Sequence, residues 1–192
     1  MRRHVVVRDA VPEDVEALVH LWREAGPGGV DAASRLEDEA PRALAHVLAS
    51  ADERLVVSEE EGEVVAALHL RRAPISPLHL EQVVHTSYLL VMPDHRRHGH
   101  ARLLLEAALA WAEEKGLDHL TAISASNSRD TNRFLARLGL GTVAQVRITG
   151  TASLRKKLSP AARPGGASRS IGEVLAARRS MRRRQEGEAD AG

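Results

Sequence analysis

The sequence predicts a three-layer α/β domain with a mixed sheet, followed by a basic C-terminal tail. Three observations support this class: β-prone runs alternate with helical periodicity, two consecutive runs read as a hairpin, and no internal repeat is present. Alternating strands and helices favour parallel pairing, whereas a hairpin pairs its strands antiparallel. We therefore expect a sheet that contains both arrangements.

The N-terminal half predicts a strand, two helices and a hairpin. Three consecutive valines at 5–7 favour a buried strand, and Pro12 suits the first turn of the helix that follows. A second helix is predicted from Ser34, with a break or restart at Pro41. Residues 55–58 and 64–70 form the hairpin. The apolar helical positions are Val15, Leu18, Val19 and Trp22, then Leu36, Ala40, Leu44, Val47 and Leu48.

The C-terminal half alternates strands and helices. Residues 83–92 are strongly β-prone and end at Pro93, and helical periodicity covers 101–115. A strand at 120–123, a helix at about 130–138 and a final strand at 142–148 follow, and 151–158 has helical character. The predicted division is a domain at 1–158, a linker at 159–169 and a basic, helical tail at 170–192.

Composition excludes several classes of protein. The chain has 192 residues and no cysteine, which excludes disulfides, thiolate metal sites and a cysteine nucleophile. No apolar run approaches the ~18 residues of a membrane span, so we expect a cytoplasmic protein without membrane contact. Only four aromatic residues are present, which disfavours nucleic-acid stacking. Residues 159–192 hold seven arginines and four acids, which leaves a net charge of −2 on residues 1–158.

The segment from Pro93 to Ala101 carries the predicted chemistry. A strand enters a short loop that opens directly into a helix, whose free first-turn amides and dipole attract anions. Gly99 permits close backbone approach, and Arg96 and Arg97 add charged donors. These features predict a diphosphate site, although a solvated basic loop would share them.

Two motifs carry a resemblance to a known family. Val91, Pro93, Arg96, Arg97, Gly99 and Ala101 resemble motif A of the Gcn5-related N-acetyltransferases (GNAT). The run Arg133–Leu140, about 30 residues further on, is similar to the family's motif B. The likeness covers roughly residues 3–150 and implies a GNAT-like fold with a central splayed sheet.

The resemblance implies a cofactor site and a reaction. The co-substrate would be acetyl-CoA, and its acetyl group would pass directly to an amine of a small molecule or a peptide. The acetyl carbonyl would meet a backbone N–H near Met92. The implied cofactor-binding residues are Leu90, Val91 and Met92 for the pantetheine arm, Arg96, Arg97, His98, Gly99, His100 and Ala101 for the diphosphate, and Asn127 and Arg133 beside them.

Proton transfer requires a base, because an amine is mostly protonated near neutral pH. Relative to the family, the usual base position falls on His85, with Glu81 as the second candidate. In a regular strand His85, Ser87 and Leu89 share one face. An inert, hydrogen-bonded His85 is the alternative.

One departure from the family concerns the general acid. The usual motif B tyrosine is replaced by Leu135, which cannot donate a proton. This favours, as an alternative, a non-catalytic acyl-CoA-binding or regulatory module. The arginine-rich tail favours another alternative, an adaptor that acts through it. A homodimer is also expected.

Histidines cluster in the loop at His95, His98 and His100. Three imidazoles are sufficient to bind a divalent metal, but no carboxylate lies at a suitable spacing in the sequence. The sequence therefore predicts no metal.

Overall fold

The computed structural model describes residues 4–26, 35–125, 128–144 and 146–159. The chain divides into two compact units, Met1–Thr142 and Val143–Gly192. The predicted linker and tail, apart from Ser159, and Asn127 lie outside the described residues.

The first unit contains a five-stranded sheet with flanking helices. Its strands are β1 (Val5–Asp9), β2 (Glu53–Glu60), β3 (Glu63–Pro74), β4 (Gln82–Val91) and β5 (Leu120–Ala122). Its helices are α1 (Val15–Ala25), α2 (Leu36–Ala49), α3 (His100–Glu114) and α4 (Arg129–Arg137), and the second unit contains α5 (Thr151–Leu158). Short 3₁₀ turns lie at Pro12–Asp14 and Pro93–His95.

The sheet is mixed, as predicted. Its spatial order is β1-β2-β3-β4-β5, with antiparallel neighbours except for the parallel β4–β5 pair. That pair is short, because β5 meets β4 only at Val84, His85 and Thr86. The Ile123 N–H donates one further hydrogen bond to the Thr86 carbonyl, at 2.8 Å. After Thr86, β4 continues without a described partner on that side. The sheet is therefore splayed at the C-terminal half of β4.

Two hydrophobic layers sandwich the sheet. On one face α3 packs Leu104, Ala108 and Trp111 against residues such as Leu68 and Val84. On the other face α1 and α2 cover a second cluster, which contains Leu21, Leu44, Val57, Ala67 and Leu90. This is the predicted three-layer arrangement.

A β-bulge in β4 corrects the predicted face of Leu89. Tyr88 has a φ of +55°, and the β3–β4 register shifts between Ala67 and His69. The extra residue reverses the alternation, so Leu89 packs on the α3 side and Leu90 on the α1–α2 side. Ser87 therefore shares its face with Leu90 instead of Leu89.

Two other expectations were wrong. The described residues of 142–148 form no strand, and Val143, Val146 and Ile148 are 94%, 76% and 78% exposed. A strand needs a partner edge, and the sheet formed by the described residues ends at β5. Pro41 does not interrupt α2. It is the sixth residue of that helix, where its missing N–H removes one early hydrogen bond.

Helical structure at 151–158 is confirmed. Among the helices of the described ranges, none has the length and apolar character needed to cross a bilayer.

Candidate cofactor-binding and active site

The loop between β4 and α3 ends in an open helix N-terminus. Arg97 and Gly99 have φ values of +65° and +96°, and α3 begins at His100 with no side-chain cap from the described residues. The amides of the first turn lack intrahelical acceptors, and the helix dipole adds positive potential there. This terminus is suited to an anion.

The loop leaves room for a bulky anion beside Gly99. A Cβ built on Gly99 would meet nothing within 4 Å, so the backbone is open to a ligand on that side. Arg96 and Arg97 are exposed next to it and supply two guanidinium groups. These residues fit a diphosphate, the group for which they were predicted.

Beneath the loop, a buried polar cluster joins it to the end of β2. Glu60 is 5% exposed, and its Oε2 lies 2.5 Å from His95 Nδ1 and 3.5 Å from His100 Nε2. His100 is 1% exposed, and its Nδ1 lies 2.9 Å from Ser58 Oγ. Burial lowers the pKa of His100, which favours the neutral imidazole. The His100 side chain is thus turned inward, and its contribution to an outer ligand is limited to its main chain.

No sequence pattern predicts Glu60 or Ser58 in this cluster, because β2 precedes the loop by more than 30 residues. The burial of Glu60 at the end of β2 is the feature that indicates its role, and it is visible only in the folded chain.

The splayed edge of β4 contains Leu90 and Val91, as expected for the pantetheine arm. Their register partners on β3 are Ala67 and Ala66, and no described strand pairs with their opposite edge. Met92 differs from expectation, because its N–H donates to the Val65 carbonyl at 2.9 Å. That amide is already engaged and is not available to polarise an acetyl carbonyl.

His85 lies one residue before the last position of β4 that pairs with β5, and both of its ring nitrogens are in contact. Nδ1 is 2.8 Å from Thr121 Oγ1, and Nε2 is 3.4 Å from the Pro74 carbonyl. In the neutral form of the ring, Nε2 is the donor, because a carbonyl only accepts, and Nδ1 accepts from the threonine hydroxyl. A proton can therefore reach His85 only through Thr121 in this arrangement.

Glu81 lies at the opposite end of β4 from the loop. It is nine residues before Leu90, a distance of about 30 Å along an extended strand. Its Oε1 pairs with His119 Nδ1 at 2.8 Å on the surface. The structure does not bring Glu81 to the splayed edge.

A Glu53–His69–Ser87 chain, not predicted from sequence, reaches that edge. Ser87 Oγ lies 3.1 Å from His69 Nδ1, and His69 Nε2 lies 3.0 Å from Glu53 Oε2. The His69 and Glu53 side chains are 20% and 25% exposed. Ser87 follows the last β4 residue paired with β5. The three residues come from three strands, so only their pairing reveals the chain.

Residues of α4 agree in part with expectation. Leu135 is 6% exposed and fills the core, so the usual acid position contains no proton donor. The Arg133 side chain is 64% exposed, and its guanidinium lies 3.8 Å from the Asp130 carboxylate, so the side chain is accessible to a ligand. A separate aromatic pair lies at the β4 bulge, where the ring centroids of Trp22 and Tyr88 are 4.7 Å apart.

The described chain thus combines a mixed, splayed sheet with an uncapped helix N-terminus that is suited to an anion. The acetyltransferase (GNAT) family model matches residues 15–140, about two thirds of the chain. The chain therefore belongs to the GNAT family, as its two motifs predicted.

Solved structures of low sequence identity share the fold. A transcriptional regulator from Bacillus halodurans C-125 has 20% identity and a TM-score of 0.66, and the match covers 77% of this chain and 99% of that one. Aminoglycoside N-acetyltransferase AAC(6')-Iy, solved with CoA, has 16% identity and a TM-score of 0.65 over 79% and 97% of the two chains. Glucosamine-6-phosphate N-acetyltransferase from Arabidopsis thaliana has 14% identity and a TM-score of 0.61 over 77% and 99%. No curated protein matches the sequence significantly.

Proposed function

We propose that this protein transfers an acetyl group from acetyl-CoA to an amine. The observation that carries the proposal is the uncapped first turn of α3, preceded by Arg96, Arg97 and the open Gly99, beside the splayed edge of β4. A neighbour of the same fold is solved with CoA, and others are named for the acetylation of amines.

The residues that would hold acetyl-CoA lie in two parts of the site, the open edge of β4 and the loop before α3. Main-chain groups of Leu90 and Val91 would bind the pantetheine arm along the open edge of β4. Loop residues Arg96 to Ala101 would hold the diphosphate, and Asn127 and Arg133 would lie nearby. Acetyl-CoA supplies a thioester, whose C–S bond breaks as the amine nitrogen bonds to the acetyl carbon, releasing CoA thiolate and one proton.

Two hydroxyl–histidine pairs flank the splay and are proposed to take that proton. Ser87 would accept it, directly or through water, as its own proton moves to His69 Nδ1, with Glu53 orienting the ring. This follows the logic of a base oriented by a third group. Thr121 would serve His85 in the same way. The geometry favours His69 over His85 as the final proton acceptor. Its partner Ser87 follows Thr86, the last β4 residue paired with β5, and therefore lies where the two strands separate.

No group is required to protonate the leaving sulfur. A thiol has a pKa of ~8.5, so the thiolate is a tolerable leaving group and takes a proton from water. Because the thiolate needs no proton from the protein, the leucine at position 135 does not prevent turnover.

The acceptor is proposed to approach from the α1–α2 side, where Ser87 and the Trp22–Tyr88 pair lie. A small amine and a peptide amine both fit this description. Release of CoA thiol can be followed with a thiol reagent across a panel of aminoglycosides, amino sugars and peptides. The chain contains no cysteine and contributes no background to that assay.

A second candidate function is a non-catalytic acyl-CoA-binding or regulatory module, favoured by Leu135. It predicts saturable acetyl-CoA binding with no thiol release above the rate without enzyme for any amine of the panel. The enzyme proposal predicts turnover with at least one amine, so the two are separated by the same assay.

Location and assembly are proposed separately. We propose a cytoplasmic homodimer, and exposed Val143, Val146 and Ile148 of the second unit favour self-association. Sedimentation equilibrium of the full chain tests the dimer, and a single species of monomer mass would contradict it.

A further inference from the structure

Three loop histidines and one buried glutamate form a compact set of metal-ligand groups. One ring nitrogen from each of His95, His98 and His100 and one oxygen of Glu60 all lie within 4.8 Å of one another. The three imidazole centroids form a nearly equilateral triangle with sides of 6.0, 6.1 and 6.3 Å. We propose that this cluster binds one divalent transition-metal ion of the zinc type and thereby fastens the loop to β2.

The orientation of His100 is the second observation that points to an ion. Its Nε2 is buried and has no hydrogen-bond partner, although Glu60 Oε2 lies only 3.5 Å away. Its Nδ1 is held by the fully buried Ser58 hydroxyl at 2.9 Å. Metal-bound histidines are typically held in this way, with one nitrogen hydrogen-bonded and the other directed at the ion. An ion beside Glu60 would give His100 Nε2 the partner that it lacks.

The donor set selects the class of metal. Three imidazole nitrogens with one carboxylate oxygen suit zinc and its neighbours, whereas magnesium and calcium require mainly oxygen ligands. Zn–N bonds of ~2.0–2.1 Å place tetrahedral donors about 3.4 Å apart. Donors up to 4.8 Å apart would thus approach by at most about 1.4 Å on binding, and Glu60 Oε2 and His95 Nδ1, now 2.5 Å apart, would separate. His98 is the exposed member of the set, whereas Glu60 and His100 are buried.

The site is compatible with the loop's proposed role toward a diphosphate. The ion would use side chains beneath the loop, whereas the anion would use main-chain amides of the first turn of α3 and exposed arginines. The inference does not depend on acetyl-CoA binding. The sequence predicted no metal because no carboxylate lies near the histidines along the chain. In the folded protein, Glu60 at the end of β2 supplies that carboxylate.

Zinc binding to untagged, chelator-treated full-length protein tests the proposal without any CoA compound. We expect calorimetry and elemental analysis to give one Zn²⁺ per chain, a rise in Tm of about 5 °C, and a four-coordinate absorption spectrum with Co²⁺. His98→Ala, at an exposed position, should retain the fold and weaken zinc binding at least tenfold. Glu60→Gln should do the same where it folds. His119→Ala is the matched control, because it removes a surface His–Glu pair elsewhere.

Either of two results would overturn the proposal. One is well-folded protein that binds no zinc at micromolar concentration. The other is zinc affinity unchanged by His98→Ala or equally weakened by His119→Ala, which would mean that the cluster is an ordinary hydrogen-bond network. Because acetyl-CoA is absent throughout, neither result bears on the proposed acetyl transfer.

Discussion

Glu60 and His95 are 35 residues apart in sequence, yet Glu60 Oε2 lies 2.5 Å from His95 Nδ1. This contact joins the end of β2 to the 3₁₀ turn that starts the loop before α3. The loop backbone is thereby held from below, while its outer side remains open at Gly99. A fixed loop lowers the conformational cost of ligand binding, because less freedom is lost when the ligand arrives.

The first prediction concerns the two hydroxyls that flank the splay. Ser87→Ala and Thr121→Val each remove one hydroxyl with little change in volume, and they isolate His69 and His85 in turn. We expect Ser87→Ala to lower kcat about 10²-fold, the scale of general base catalysis, with KM little changed. Thr121→Val should have a smaller effect. Steady-state thiol release on an accepted amine gives both constants.

His69→Gln and His85→Ala complete that test. A large loss in Thr121→Val and His85→Ala alone would move the base to His85. Wild-type kcat in all four variants would remove both histidines from the mechanism.

The second prediction concerns acid stability. Hydrogen bonds from the Arg8 guanidinium to Asp14, at 2.7 and 2.8 Å, hold the pKa of the buried Asp14 carboxyl below its usual value. A lowered pKa stabilises the fold above the unfolded value of ~3.9, and this stabilisation is lost as pH falls through the folded pKa. We expect Asp14→Asn to cost about 2 kcal/mol at pH 7 and to flatten the stability curve below pH ~4. Urea unfolding between pH 7 and 3 measures this.

The exposed Asp38 provides the control for that experiment. Asp38→Asn should leave the curve nearly unchanged. Parallel curves for wild type and Asp14→Asn would contradict the assigned role of the Arg8–Asp14 pair.

The local parts of the fold follow from local sequence. Pro93, Gly99 and Gly116 mark the limits of the loop and of α3, because turn and helix-end chemistry acts over a few residues. The position of the loop between β4 and α3 was accordingly predictable. The Tyr88 bulge was not, because it depends on the register of β3 against β4. Glu60, Ser58, His69 and Glu53 were missed for the same reason, since each meets its partner only across the assembled sheet.

The strand predicted at 142–148 does not form among the described residues, which shows that β-propensity alone does not determine a strand. Val143, Val146 and Ile148 are residue types that favour a strand, but a strand is stable only when it is paired. Propensity alone does not provide the partner.

The third prediction tests the packing of α3 on the sheet. Leu104 is fully buried and Leu109 is 52% exposed on the same helix. Leu104→Ala should lower the free energy of unfolding by ~2–5 kcal/mol through lost burial and a residual cavity. Leu109→Ala should change it by no more than ~0.5–1 kcal/mol. Equal losses in urea melts would contradict the placement of α3.

The two ends of α3 provide the most direct test of the proposed diphosphate site. Gly99 and Gly116 both have positive φ, at +96° and +65°, and both open onto free space. A substitution at either position therefore carries a similar backbone strain of ~1–2 kcal/mol, but only position 99 faces the proposed ligand. Calorimetric titration of acetyl-CoA into wild type, Gly99→Glu and Gly116→Glu compares them.

We predict one acetyl-CoA per chain, with affinity reduced at least tenfold by Gly99→Glu and retained by Gly116→Glu. Folded wild-type protein that binds no acetyl-CoA, or a Gly99→Glu variant that binds it as tightly as wild type, would contradict the account.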